Sequence, residues 1–292
     1  VLADLDIEGA VGDAIGVVNI DAPISAIVED KDGFTVAGDA RFFQVEDDPR
    51  AVDLDRSYHV SEPFPSFGTT APNGQPYELG LGISASGFNQ LLRGMIETGL
   101  LIMSVDQVDL SAAEDPFLSN IGVVDPITAG LLGLVFRGGF KDLPTGELVR
   151  IDVYPTMAPF VTGQPGPNGE LATLTIPHLL LSFVTESDDK VVLQLVLDGT
   201  LGFNAEFENG ILNILMSEPG EGDVQFTVLD NPLGADEAAI LGLLPAVAKS
   251  LVPTLASALG SFPLPDFLGL QLELVDLTRN GEYMSLFFNL SQ

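Results

Sequence analysis

The side chains that most often do chemistry in proteins are scarce in this sequence or lack the spacing that a reaction needs. The chain contains two histidines, His59 and His178, and no cysteine. This composition removes thiolate catalysis, disulfides and zinc–cysteine sites, and it leaves too few ligands for most histidine metal sites. Gly82–Ser86 comes closest to a Gly-x-Ser-x-Gly nucleophile elbow but lacks its final glycine. We therefore expect no catalytic residue, no metal site and no cofactor.

Carboxylates are abundant, but their spacing does not single out a reactive pair. The 292 residues include 42 acidic and 11 basic side chains, and no two acids stand out as a glycosidase pair. Asp30-Lys31-Asp32-Gly33 resembles the start of a calcium loop without the remaining ligands, so we interpret it as a hairpin turn. Gly163–Gly169 contains two prolines and is typical of a surface turn rather than of a phosphate-binding loop. The sequence thus predicts a protein that is not an enzyme.

The net charge of −31 and the isoelectric point near 4.1 exclude two classes of partner. Nucleic acids and anionic membranes are bound largely through lysine and arginine, so we expect neither nucleic-acid binding nor strong docking on an anionic membrane. Hydrophobic residues still make up 46% of the chain. We interpret this combination as acids on a solvated surface around a large apolar core; the acidity itself fits either a functional role or a halophilic or solubility adaptation.

Helical spacing of apolar residues predicts three helices. The first begins at a cap on Ser84 or Ser86 and ends near Gly99, and the second spans Ile127–Phe136. The third spans Ala235–Leu259, and its apolar stretch from Ala238 to Leu259 is the only transmembrane candidate. Two prolines and Lys249 interrupt its apolar run, so we predict a buried amphipathic helix instead.

Most of the remaining sequence has the pattern of strands. Residues 17–45 predict two strands, and 46–76, which are acidic and then rich in proline and glycine, predict a linker. After a short strand at Tyr77–Leu81, long strands are predicted from residue 148 onward, and the longest is Val191–Phe207. Its leucines and phenylalanines share one face while polar side chains share the other, which is typical of a sheet with one dry face. We predict an α+β fold in which a long, highly curved antiparallel sheet wraps around a long C-terminal helix and a shorter N-terminal helix.

The dry faces of these elements define the candidate binding residues. A site for an apolar ligand needs apolar surface that the protein does not fill with its own side chains, and it carries no catalytic signature. Periodicity does not distinguish such a hollow core from a filled one. The candidates are Leu193, Leu195, Leu197, Leu201 and Phe203 in the longest strand, Leu244, Val247, Leu251 and Leu255 in the last helix, and Leu91 and Met95 in the first helix.

Three segments resemble the bactericidal/permeability-increasing protein and lipopolysaccharide-binding protein family of the tubular lipid-binding (TULIP) superfamily. Tyr77–Ser84 followed by Phe88–Leu92 resembles the strand and helix that open the second barrel of that family. Leu244–Pro265 resembles its long final helix and proline-rich exit. Leu270–Asp276 with Tyr283–Asn289 resembles its last hairpin. The resemblance places residues 1–76 as central-sheet strands and linker, and 77–292 as a lipid-binding barrel.

The resemblance implies that the chain binds or transfers a lipid held between sheet and helices, such as a phospholipid, a fatty acid or a sterol. The basic cluster with which the family grips lipopolysaccharide has no counterpart in this acidic sequence, and the cysteine pair of the first barrel is missing with that barrel. The first residues, Val1-Leu2-Ala3, lead us to expect that a signal peptide or upstream segment is removed and that the protein is secreted, periplasmic or on the outer surface.

Two functions from different classes fit the sequence. The first is a carrier of hydrophobic molecules with an internal cavity. The alternative is a structural or adhesive surface protein whose barrel is filled and which assembles through edge strands, since the strands at 17–45 would leave their edges open. Those strands would also suit a homodimer or a missing N-terminal barrel.

Overall fold

The computed structural model describes residues 7–10, 18–29, 34–44, 46–99, 101–112, 116–136, 139–208, 210–220, 222–242, 247–248, 261–263 and 271–291. The helices with defined bounds are α1 (Ala85–Glu97), α2 (Pro116–Ser119) and α3 (Ala129–Val135), and Leu110–Ala112 forms a 3-10 turn. The strands are β1 (Ile7–Ala10), β2 (Val18–Ala22), β3 (Ile24–Glu29), β4 (Phe34–Gly38), β5 (Arg41–Gln44), β6 (Leu79–Ser84), β7 (Met103–Val105), β8 (Val108–Asp109), β9 (Val123–Val124), β10 (Val149–Pro155), β11 (Phe160–Thr162), β12 (Ala172–Thr185), β13 (Val191–Glu208), β14 (Ile211–Met216), β15 (Val224–Asp230), β16 (Ser261–Pro263), β17 (Gln271–Asn280) and β18 (Tyr283–Ser291).

The largest sheet is antiparallel and has the order β16-β14-β13-β12-β10-β7, with β11 added to β12 and β15 added to β13. Strands β12 and β13 contain 14 and 18 residues, whereas ~5–6 residues is usual. Long twisted strands with one dry face curl around what they cover. The fold is therefore α+β, with a long curved antiparallel sheet, as the sequence predicts.

A bulge interrupts β12 where the sheet bends. The pairing with β13 shifts between Ile176 and Leu179, because Pro177 has no N–H to donate to the ladder. The next residue, His178, has a positive φ of 50°, and its backbone N–H donates to Asp198 Oδ1 at 2.9 Å. This histidine is exposed, and its Nδ1 lies 3.1 Å from the same carboxylate. The backbone and the side chain of His178 therefore both contact Asp198 at the bulge.

The N-terminal strands differ from the prediction in number. Four strands, β2 to β5, occupy the region where the sequence pattern predicts two. The first break falls at Pro23, whose carbonyl accepts the N–H of Asp39 at 3.1 Å, and proline cannot continue a paired strand. As a result β2 and β5 pair with each other, while β3 and β4 form a separate hairpin.

The segment 46–78 contains no helix or strand, and its proline-rich part lies against the small sheet of order β17-β18-β6. The rings of Phe64 and Phe67 cover two glycines of β6. A Cβ on Gly80 would lie 3.1 Å from Phe67 Cδ1, and one on Gly82 would lie 3.4 Å from Phe67 Cζ. Glycine at these positions gives the two rings a flat surface on which to pack.

Helix α1 forms as the sequence predicts. Ser84 is its N-cap and accepts the N–H of Gly87 at 3.0 Å, which satisfies one of the free donors of the first turn. Gly99 follows with a φ of 74°, a conformation that glycine adopts without steric cost. Thus local signals fix both ends of this helix.

The C-terminal helix is visible in part. Residues 237–242 and 247–248 are helical, whereas Ala235 and Asp236 precede the helix. The rest of the predicted Ala235–Leu259 helix lies outside the described residues. Among the helices that the structure describes, none combines the length and apolarity required to cross a membrane. Where the pattern predicts a proline-rich exit at Phe262–Pro265, residues Ser261–Pro263 form β16, which pairs with β14.

Gly202 in β13 allows a buried carboxylate to lie against the sheet. A Cβ at this position would overlap the carboxyl group of Glu170. Hydrogen bonds from the backbone N–H of Glu170 itself, from the Ser217 hydroxyl and from Asn168 lower the pKa of Glu170 from 4.5 to about 2. Glu170 therefore organises the turn before β12 as a charged acceptor.

We expect Gly202→Ala to lower the free energy of unfolding by about 1–3 kcal/mol, because the added methyl group forces Glu170 out of its site. Gly199→Ala is the matched control in the same strand, since its Cβ would approach no closer than 3.6 Å to Leu197 Cδ2. Chemical denaturation measures both. Equal losses in the two variants would contradict the role of Gly202.

We expect Glu170→Gln to destabilise the protein at neutral pH. The difference in stability between the variant and the wild type should become smaller as the pH falls from 5 towards 2. The folded-state pKa of Glu170 lies below its unfolded value, so its stabilisation is present above the unfolded pKa and is lost as pH falls through the folded pKa. Thermal unfolding across this pH range measures the effect. Glu186→Gln, in an exposed turn, is the control, and a deficit that is independent of pH would refute the charged role.

Candidate functional site

The inner face of β13 is apolar over most of its length. Its five predicted residues are almost completely buried, with relative exposures of 0–4%, and they belong to one core cluster with the inward residues of β12 and β10. The outward residues Asp198, Asn204 and Glu206 face solvent. Acidic and apolar side chains are therefore sorted onto opposite faces of the same strand. The five residues are Leu193, Leu195, Leu197, Leu201 and Phe203.

Helix α1 lies on this inner face. Leu91 and Met95 are buried in the same core cluster as the β13 residues, and so is Val247 from the helical residues 247–248. The structure thus brings together the eight predicted site residues that it describes. The other three predicted residues, Leu244, Leu251 and Leu255, lie outside the described residues.

Two clefts remain between α1 and the sheets. The first, which we call the helix cleft, is lined by Phe88, Leu91, Leu92, Val161, Leu174, Phe203 and Ile214. The second, the hairpin cleft, continues from it towards the turn between β17 and β18, and its lining includes Ile83, Phe88, Val161, Ala172, Phe203 and Met284. Each has a cavity volume of about 20 Å³, which is room for about one water molecule.

Both clefts share three side chains. Phe88, Val161 and Phe203 line the helix cleft and the hairpin cleft alike, so the two clefts adjoin at these side chains. We call the two clefts together the seam and the three residues its septum. Of the predicted site residues, Leu91 and Phe203 line the seam. Met95, Val247 and the four leucines of β13 are core residues around it that line neither cleft.

Several residues of the seam are not among the predicted ones. Phe88 belongs to the apolar stripe of α1, and Met284 alternates with Leu286 and Phe288 on the buried face of β18, so both carry a periodic signal. Val161 lies in a three-residue strand, which is too short to show a period. Its place at the seam depends on a contact with α1.

That contact is a pair of hydrogen bonds from Asn89, which is completely buried on α1. Its Nδ2 donates to the carbonyl of Val161 at 3.0 Å, and its Oδ1 accepts the N–H of Val161 at 2.6 Å. The other edge of β11 pairs with β12. The asparagine therefore takes the place of a neighbouring strand and holds α1 at a fixed distance from β11.

A second set of hydrogen bonds lies at the mouth of the hairpin cleft, which is the end formed by the turn between β17 and β18. Glu282, in the turn between β17 and β18, accepts the N–H of Gly163 with Oε2 at 2.6 Å. Its own N–H donates to Glu62 Oε2 at 2.5 Å. Desolvation and the charge of Glu62 raise the pKa of the Tyr283 hydroxyl at the same mouth. Three separate segments of the chain thus meet at one rim.

The charged groups of the seam lie at this rim. Arg279 and Glu282 are the charged residues among those that line the two clefts. Arg279 makes no ion pair with any residue that the structure describes, whereas the Glu282 carboxylate is engaged by Gly163. The seam is therefore apolar along its length and polar at one end.

The described residues do not form a centre for metal chemistry. Over that part of the chain, no group of three or more His, Cys, Asp and Glu side chains is arranged to hold a metal ion. His178 lies on the outer bulge of β12, and His59 is exposed in the segment before β6. The arrangement that the geometry offers is an apolar path with a polar mouth.

The chain resembles a known protein in structure but matches none in sequence. No protein-family profile matches the sequence, and no curated protein is significantly similar to it. Among solved structures, the chain is similar to the crystal structure of lipopolysaccharide binding protein, with a TM-score of 0.44 and 16% sequence identity. The chain resembles this protein. The match covers 97% of the chain and 57% of the chain of lipopolysaccharide binding protein, so the chain spans little more than half of that protein's length.

We expect Asn89→Ala to lower the free energy of unfolding by about 2–4 kcal/mol, because it leaves the buried N–H and carbonyl of Val161 without partners. Gln90→Ala in the same helix is the control. Its hydrogen bonds to Phe42 and Ala40 are longer, at 3.4 and 3.5 Å, and its loss should cost less than about 1 kcal/mol. Chemical denaturation and amide hydrogen exchange at Val161 measure the difference. Unchanged protection of the Val161 amide in Asn89→Ala would show that the pair does not hold β11.

Proposed function

We propose that this protein binds, and carries, a hydrophobic ligand between its curved sheet and its helices, and that it is not an enzyme. The observation that supports this most directly is the apolar seam beneath α1, which meets the apolar inner face of β13 at Phe203. Ligand sites are mostly apolar with a few polar groups that fix orientation. The apolar length of the seam and its polar rim at Glu282 match that description.

The ligand classes in this proposal are those that the sequence resemblance implies, namely a phospholipid, a fatty acid or a sterol. The cleft volumes of about 20 Å³ are far below the ~300–1,000 Å³ of usual ligand pockets. We therefore propose that the ligand displaces side chains of the septum as it enters. The buried leucines of β13, together with Met95 and Val247, form the wall behind them. A location outside the cytoplasm belongs to the same proposal.

A second candidate function is a structural or adhesive role with a filled barrel. The small cleft volumes favour it, and so does the hairpin of β3 and β4, which pairs with no other strand among the described residues. Ile27 and Val28 of this hairpin are 49% and 61% exposed. Open strand edges with apolar side chains pair readily with other chains, including a second copy of this chain. A filled protein of this kind would not hold a lipid.

We expect native mass spectrometry of the freshly purified protein to detect a bound apolar species at near-stoichiometric occupancy. An organic extract of the same sample then identifies its class. The physical reason is that buried apolar surface gains about 25 cal/mol per Å², so a fitted ligand survives purification. Ala172→Leu, which adds bulk to the hairpin cleft, should reduce the occupancy.

Ala129→Leu is the control for that variant, because Ala129 is also buried but lies in α3 and lines neither cleft. It should keep the ligand if it stays folded by circular dichroism. An empty wild-type protein that also takes up no fluorescent fatty acid, phospholipid or sterol would refute the carrier function. That result, together with oligomers at low concentration, would favour the structural role.

A further inference from the structure

We propose that the ligand is a single unbranched alkyl chain that lies along the seam, with its polar end at the rim. This inference rests on the proposed function and narrows it, because it excludes sterols and two-chain lipids. It is carried by three features of the seam: its two clefts adjoin at the septum, its walls are tied together by hydrogen bonds, and its charged side chains lie in the hairpin cleft alone.

The proposed path is linear because the three side chains of the septum separate one cleft from the other. The hairpin cleft begins at the rim, beside Glu282 and Tyr283, and reaches the septum of Phe88, Val161 and Phe203. The helix cleft starts at the same three side chains and continues to Leu92 and Leu174. Rotation of the septum side chains joins the clefts end to end. The occupant of such a path is long and thin.

The path is narrow because hydrogen bonds hold its walls. Asn89 ties α1 to β11 through both backbone groups of Val161. Glu282 ties the β17–β18 turn to Gly163. Separating these walls would leave buried backbone donors and acceptors unpaired, whereas rotating a phenylalanine side chain breaks no hydrogen bond of the backbone. The seam therefore widens through its side chains and not through its backbone.

This restriction selects the shape of the ligand. A rigid ring cannot enter a cavity that is narrower than the ring. An apolar cavity that accepts a single benzene has a volume of about 150 Å³, whereas each cleft has a volume of about 20 Å³. A flexible alkyl chain is only one methylene group wide at any point, so it requires a smaller displacement of the septum side chains than a ring does. Two acyl chains side by side would require twice that width.

The two ends of the seam differ in polarity, which sets the direction of the ligand. At the far end Leu91, Leu92 and Leu174 are 2–3% exposed and provide no hydrogen-bonding side chain. At the rim the guanidinium of Arg279 makes no ion pair within the described structure. A polar head group in the far end would remain unsatisfied, so the head group lies at the rim and the methyl end lies near Leu92.

The test is competition against cis-parinaric acid, a fluorescent fatty acid, on the full chain. Oleate and oleyl alcohol should both displace the probe, and cholesterol and dioleoylphosphatidylcholine should be weaker by about tenfold or more. Oleate and the alcohol share the chain and differ in the head group, so a preference for oleate would assign a carboxylate contact at the rim. Equal displacement by the two would assign the affinity to the chain; either result supports the single-chain ligand.

The septum provides the second part of the test. Phe203→Leu shortens a septum side chain and should shift the preferred fatty acid towards longer chains, from decanoate up to arachidate. Phe183→Leu is the matched control: Phe183 lies on the neighbouring strand β12, is equally buried and lines neither cleft. It should leave the order of chain lengths unchanged, and circular dichroism verifies that both variants are folded.

The outcomes separate this inference from the proposed function. Displacement by cholesterol or the two-chain phospholipid as effective as that by oleate would overturn the single-chain ligand and leave the carrier function standing. An identical chain-length order in Phe203→Leu and the wild type would overturn the assignment to the seam. Failure of the wild type to bind the probe or any of the four lipids would overturn the carrier function as well.

Discussion

Helix α1 supplies backbone partners to three extended segments on the side where no described strand pairs with them. Ser86 accepts the N–H of Val60 and donates to its carbonyl, both at 2.9 Å. Asn89 does the same for Val161, and Gln90 reaches Phe42 and Ala40. Each side chain combines a donor and an acceptor, as a neighbouring strand would. Unpaired buried backbone groups cost about 1–3 kcal/mol each, so the buried pair at Asn89 contributes most. The part-buried bonds of Ser86 and Gln90 add weaker links from the same helix to two other parts of the chain.

This constraint also separates the interior of the protein from its charge. The helix can carry these polar groups on its sides because Leu91, Leu92 and Met95 fill the face towards the sheet. The outward side chains of β13 contribute to the net charge of −31, while its inward side chains stay apolar. The charged residues of the seam are then confined to the rim, where Glu282 joins the hairpin turn to Gly163. An acidic surface and an apolar path coexist because strand alternation keeps them on opposite faces.

The sequence predicts well those elements whose periodic pattern extends over many residues. The alternation along β13 and the serine cap and glycine end of α1 are local signals, and the structure confirms them. The division of the N-terminal strands is missed because Pro23 ends one pairing and starts another. Strand β11 is missed because three residues carry no period and because the side chain of Asn89, not a neighbouring strand, pairs with its free edge. Periodicity identifies which side chains leave the solvent, but only the three-dimensional arrangement of α1, β11 and the β17–β18 turn shows where a cleft remains among them.

The order of the small sheet has a consequence for the time course of folding during synthesis. Strand β18 lies between β6 and β17, and Ser84 of β6 pairs with Tyr283, so β6 gains its partner only after about two hundred further residues have been translated. Until then the rings of Phe64 and Phe67 can cover its glycines, but the edge of β6 that later pairs with β18 has no partner strand. At ~5–20 residues per second, that interval lasts for tens of seconds or less. Throughout it the ribosome-bound chain exposes a short glycine-containing strand rather than a long apolar one, which reduces the risk of aggregation before the sheet is complete.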